Sequence, residues 1–173
     1  MKKVGCFVGK FLPPHIGHLS VMDKALRECE RVIVVLAENP EKSKKLCLDA
    51  NFPYFSAEKR IAWLKKHYQN NKNIKFVYLD ESGLKSFPEG LKEWSERFRR
   101  VVGEKVTAKY ADENYRHLNE KYFPECEFVP IDRDAIAVHG TDIRTKREYL
   151  KYVIPEGYQD ILNELEKGEN ENE

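Results

Sequence analysis

Residues 9–18, G-K-F-L-P-P-H-I-G-H, lie between two runs of opposite periodicity. Before them comes a continuous apolar stretch, residues 3–8 (KVGCFV). After them apolar side chains recur at helical spacing, at Ile16, Leu19, Met22, Ala25, Leu26 and Cys29. The pattern dictates a strand, a tight turn and a helix, which brings backbone N–H groups and a positive helix end to one point where a phosphate can sit. Gly9 lets the backbone approach a ligand closely, and Pro13 and Pro14 stiffen the turn. His15 and His18, three residues apart, fall on one face of the first helical turn. Each imidazole can donate to a phosphate oxygen without acting as a nucleophile. Two of the chain's five histidines inside four residues favour a site over an incidental surface turn.

A length of 173 residues suits one domain with a proper core. Thirty basic side chains against 29 acidic ones leave a net charge of +1, so a broadly basic nucleic-acid binder is disfavoured. Cys6, Cys29, Cys47 and Cys126 form no C-x-x-C pair, which argues against structural zinc and a disulfide framework and for reduced thiols. No apolar run approaches about 18 residues and no signal peptide is evident, so a soluble, cytoplasmic protein without membrane contact is expected.

Strands are expected at 31–37, 75–79, 106–111 and 127–131. Helices are expected after Ser56 (inner face Ala57, Ile61, Leu64, Tyr68), over 91–101 (Leu91, Trp94, Phe98, Val101) up to Gly103, around 113–122, from 138–144 as a short basic helix, and from Pro155. Residues 38–55 read as a long polar loop at an active site. Residues 167–173 are acidic and are expected to fray, leaving 1–166 as the domain. The alternation implies an α/β fold, a doubly wound, Rossmann-like parallel sheet of five strands. The histidine corner, the 38–55 segment, Asp80 and residues 110–113 should then gather beyond the carboxyl ends of the strands.

The corner G-x-F-x-P-x-H-x-G-H resembles the nucleotidylyltransferase superfamily, and Thr141-x-x-Arg144 is similar to the end of its second signature, I-S-x-T-x-x-R. F-S-A-E-K-R-I at 55–61, S-F-P-E-G-x-x-x-W-S at 86–95 and R-E-Y-L-K-Y-V-I-P at 147–155 resemble the adenylyltransferase half of NadR-type proteins, a likeness spanning roughly residues 3–160. It implies transfer of the AMP moiety of ATP to nicotinamide mononucleotide (NMN), giving NAD and pyrophosphate by direct in-line attack on the α-phosphorus. By position, His18, His15 and Lys10 would serve catalysis. Gly9, Phe11, Gly17, Thr141, Arg144 and His139 would bind ATP, although His139 stands where the signature has serine. Trp94, by stacking on the pyridinium, and Asp80 would bind NMN. Mg2+ would be held mainly through the ATP phosphates, with no protein metal site. Lys42, Lys44 and Lys45 either reach the triphosphate or form a solvated run.

His15-Ile-Gly-His18 is also the HIGH tetrapeptide of class I aminoacyl-tRNA synthetases, but the lysine segment comes too early and the chain has no length for an anticodon-binding domain. A sibling transferase acting on phosphopantetheine, a flavin mononucleotide or with a CTP donor shares the corner, as would a non-catalytic nucleotide sensor. Small-molecule substrates without nucleic acid are the expected partners, and a homo-oligomer stays open.

Overall fold

In the computed structural model, which describes residues 2–132 and 138–171, five strands form one parallel sheet. They are β1 (Lys2–Gly9), β2 (Cys29–Glu38), β3 (Ile74–Asp80), β4 (Ala108–Asp112) and β5 (Glu127–Ile131), in the spatial order β3-β2-β1-β4-β5. The helices are α1 (Ile16–Glu28), α2 (Pro40–Asp49), α3 (Ala57–His67), α4 (Leu91–Val102), α5 (Arg116–Tyr122), α6 (Gly140–Thr145) and α7 (Pro155–Glu171). The chain winds outward from β1 to β3, then crosses back to β4 and continues to β5. The direction reverses between β1 and β4, and the crevice beyond their carboxyl ends is where such sheets bind ligands. The expected doubly wound, five-stranded α/β fold is the observed one.

Strand alternation explains the two cores. Along β2, Ile33, Val35 and Ala37 face one side with Val4, Cys6, Phe98, Val102 and Phe123. Val32, Val34 and Leu36 face the other with Phe7, Met22, Leu64, Trp63 and Ile161. A strand buried on both faces reads as an unbroken apolar run, which is what residues 32–37 show after the exposed Arg31. Ser56 caps α3 by accepting from Lys59 N at 3.1 Å, and Gly103 ends α4 in the left-handed region at φ 69°.

The 38–55 segment departs from expectation, because it holds α2. Asn39 Oδ1 accepts from the N–H groups of Glu41 and Lys42, and Pro40 takes the first helical position, where its missing N–H costs nothing. On α4 the buried valine is Val102, four residues after Phe98, while Val101 is exposed. Residues 113–122 divide into a 3-10 turn, Glu113–Tyr115, and α5. Where a frayed end was expected, residues 167–171 continue α7, with Arg147 Nη2 2.6 Å from Glu169 Oε1. Residues 172–173 of that acidic end lie outside the described residues. No helix among the described residues is long and apolar enough to cross a membrane.

Candidate active site

Backbone geometry fixes the two corner histidines. His15 is the N-cap of α1, and its Nδ1 accepts from Gly17 N at 3.1 Å; His18 Nδ1 accepts from His15 N at 3.2 Å. A ring nitrogen that accepts carries no proton, so each neutral imidazole bears its proton on Nε2. The rings stack with centroids 3.7 Å apart at 25°, and both residues line the same cleft. His15 is buried, which lowers its pKa to about 4, with the nearby His139 adding to the shift. It is therefore a neutral donor at physiological pH.

Beneath the histidines the turn is held from inside. Phe11 sits at φ 51°, a costly region for a side chain of this size, and its buried ring meets His18 edge-on at 4.7 Å and Phe7 at 5.6 Å. Gly9 is required by that ring, since an added Cβ would lie 2.7 Å from Phe11 Cε1. Phe11 is thus packing under the corner, and it is absent from the cleft lining expected of an ATP contact. Arg60 and Glu38, each 1% exposed, form an ion pair at 2.5 Å. Arg60 Nη1 also donates to Lys10 O at 2.6 Å, and its Nε to Phe55 O at 3.0 Å. Tyr54 OH completes Glu38 at 2.9 Å. Every strong polar group here has a partner, the condition under which a buried pair is tolerated.

The cleft, about 700 Å³, opens beyond the carboxyl ends of β1 and β4. Gly9, Lys10, His15, Gly17, His18, His139 and Trp94 line it, as the sequence led us to expect; Thr141, Arg144 and Asp80 do not. Arg144 is half-buried, which draws its pKa down, and its Nη1 donates to Leu12 O at 2.7 Å while Nη2 reaches Thr141 Oγ1 at 3.4 Å. It ties α6 to the histidine corner. Asp80 accepts from Ser82 N at 2.8 Å and so closes the turn after β3; hydrogen bonding from the Ser82 side chain, and then from its backbone, lowers the Asp80 pKa. Its neighbour Glu81 lines the cleft instead. Lys42 lines the cleft, whereas Lys44 pairs with Glu41 at 3.6 Å and Lys45 with Asp49 at 3.1 Å on the exposed face of α2.

The opposite wall is aromatic. Trp94 is half-buried, stacked on Phe98 at 5.5 Å and edge-on to Phe123 at 6.4 Å, and its Nε1 donates to Glu81 Oε2 at 2.8 Å. It belongs both to the apolar stripe of α4 and to the cleft wall. Lys109 and Asn119 line the wall beside it, and the sequence reading singled out neither. A signal for Lys109 did exist: a lysine flanked by Ala108 and Tyr110 in a strand covered on both faces is anomalous.

With this geometry in view, comparison with known proteins decides the class. The Cytidylyltransferase-like family model matches residues 6–146. The chain belongs to that family. As a cytidylyltransferase-like protein it falls in the nucleotidyltransferase class. It is 25% identical over 163 residues to the trifunctional NAD biosynthesis/regulator protein NadR of Escherichia coli K12, a match covering 88% of this chain and 39% of that protein. It is 26% identical over 204 residues to a protein of Clostridium novyi named as a probable nicotinate-nucleotide adenylyltransferase, covering 95% and 98% of the two. A crystal structure of NadR in complex with NR has a TM-score of 0.72 to this chain at 25% identity, covering 88% of this chain and 43% of that one. The chain therefore spans less than half the length of the NadR proteins that it matches.

Proposed function

We propose that this chain transfers the adenylyl group of ATP to NMN, forming NAD and releasing pyrophosphate. The observation that carries the reading is the backbone-fixed pair of imidazoles, whose Nδ1 atoms accept backbone N–H groups and whose rings line one cleft at the start of α1. Uncharged, preorganised donors suit an α-phosphate that gains charge as the acceptor phosphate attacks in line. His18 would meet that phosphate, His15 its neighbour, and Lys10 and Lys42 the remaining charge. Gly9 and Gly17 leave the backbone within reach of the nucleotide, and His139 borders the same space. Among the described residues Arg144 is bonded to Leu12 O and Thr141 Oγ1 alone, so its remaining N–H groups and Thr141 would hold the leaving phosphates from the far side of the turn. Trp94 offers its indole to the pyridinium. Among the described residues no group of three or more His, Cys, Asp or Glu is placed to hold a metal. Mg2+ would be carried by ATP phosphates and water, supplying charge neutralisation.

The similarity to NadR and to a nicotinate-nucleotide adenylyltransferase supports a pyridine mononucleotide as acceptor. The test is an assay of ATP with NMN, nicotinate mononucleotide, phosphopantetheine and flavin mononucleotide, reading pyrophosphate and the dinucleotide formed. Pyrophosphate release with NMN is the expected result. Turnover with phosphopantetheine or flavin mononucleotide alone, or none with any acceptor, contradicts the reading.

A further inference from the structure

Two polar groups in the aromatic wall lack a hydrogen-bond or ion-pair partner among the described residues. Asn119 is 6% exposed, and its Nδ2 donates to Cys126 O at 3.2 Å, but its Oδ1 is buried without a donor. Lys109 Nζ lies 3.6 Å from the centre of the Phe123 ring, 4.6 Å from Phe98 and 5.6 Å from Trp94, and no carboxylate among the described residues pairs with it. Lys109 lies against the Phe123 ring, and Lys109 and Asn119 both line the cleft that Trp94 lines. A buried acceptor without a donor costs free energy and asks for an explanation, and so does a cation walled in by rings.

We infer that Asn119 and Lys109 read the ring substituent of the acceptor, and that together they fit a primary carboxamide. Asn119 Oδ1 accepts from the carboxamide NH2, and Lys109 Nζ donates to the carboxamide oxygen. A carboxylate in that position satisfies Lys109 but brings Asn119 no donor and repels its oxygen. Sites built to bond a substrate N–H reject analogues that lack it, because the site's own group is then left unpaired. Oδ1 is covered by neighbouring side chains, so its engagement requires a small shift of those above it. Burial draws the pKa of Lys109 down from its ordinary value, which marks the cost of keeping this cation among rings. The inference rests on the pyridine-nucleotide reading above and adds selection between NMN and its deamidated form.

The test compares kcat/KM for NMN and nicotinate mononucleotide in wild type, Asn119→Leu and Lys109→Met, with the KM for ATP and a thermal melt as controls. Wild type should favour NMN. Asn119→Leu should cut that preference by roughly tenfold or more, whereas Lys109→Met should raise it, because a carboxylate loses more than an amide when the cation goes. Lys109→Met places an apolar chain among three rings, so it remains informative if Asn119→Leu fails to fold. A folded variant with an unchanged preference overturns the inference, as does a shift confined to the KM for ATP, which would assign the pair to the adenine. If wild type uses NMN and the preference ignores both substitutions, this inference alone fails. If wild type uses neither nucleotide, the acceptor reading fails and takes the inference with it.

Discussion

The histidine corner draws its groups from ten consecutive residues, 9–18, whereas the facing wall collects Glu81, Trp94, Lys109 and Asn119 from the turn after β3, from α4, from β4 and from α5. In the corner both imidazoles accept backbone N–H groups, and the Arg60–Glu38 pair beneath them is fully bonded. In the wall, an amide oxygen and an ammonium are left for something else to meet. The first region is preorganised by the chain itself and can present the same donors to any nucleotide. The second is assembled by tertiary packing and can differ between relatives without disturbing the first. On the proposed reading, chemistry and selectivity are thereby separated within one cleft.

Substitutions at the two regions should break differently. Arg60→Ala leaves Glu38 buried without its cation and frees the carbonyls of Lys10 and Phe11, so a loss of about 3–5 kcal/mol in urea unfolding is expected. A loss under about 1 kcal/mol would mean that the corner is not held from below. His15 gives a pH signature. Its folded pKa of about 4 lies below the ordinary 6.5, so the unfolded chain binds the extra proton between those values. Stability from this group is complete above 6.5, falls as the pH drops through that window, and levels off near 4, a change of roughly 3 kcal/mol. His15→Asn keeps an acceptor for Gly17 N–H but does not titrate, so the wild-type advantage at pH 7 should shrink toward pH 4. A constant difference across that range would show that His15 is not held neutral.

In the wall the expected effects are on binding. Trp94→Ala should raise the KM for NMN by roughly ten- to hundredfold, about 1–3 kcal/mol, and leave the KM for ATP near its starting value. Trp94→Phe should recover part of the loss. Equal changes in both constants, accompanied by a large loss of stability, would make Trp94 a core residue of α4 and nothing more.

The same contrast explains what could be read in the sequence. The strand at 127–131, the cap at Ser56 and the stop at Gly103 are local events, each set by side chains within a few residues. The corner is local too, and seven expected site residues, Gly9, Lys10, His15, Gly17, His18, His139 and Trp94, do line the cleft. Helix α2 was hidden because Pro40 reads as a breaker, although after Asn39 it occupies the one helical turn that welcomes proline. Asp80 and Glu81 differ by one position at a strand end, where alternation decides which carboxylate turns toward the cleft. Asn119 lies on a seven-residue helix too short for periodicity to speak, and its orphaned oxygen exists only once Cys126 has folded back to claim its amide nitrogen. Arg60 carries no local sign of its bond to the Lys10 carbonyl, fifty positions away.

The central claim, that the imidazole pair stabilises an adenylyl group in transfer, is tested most directly by steady-state turnover of ATP and NMN in wild type and His18→Ala, with circular dichroism on both. A folded His18→Ala protein should lose roughly 10²–10³ in kcat, the loss expected when a preorganised donor to a developing oxyanion is removed. Turnover within a few-fold of wild type in a folded variant would contradict it.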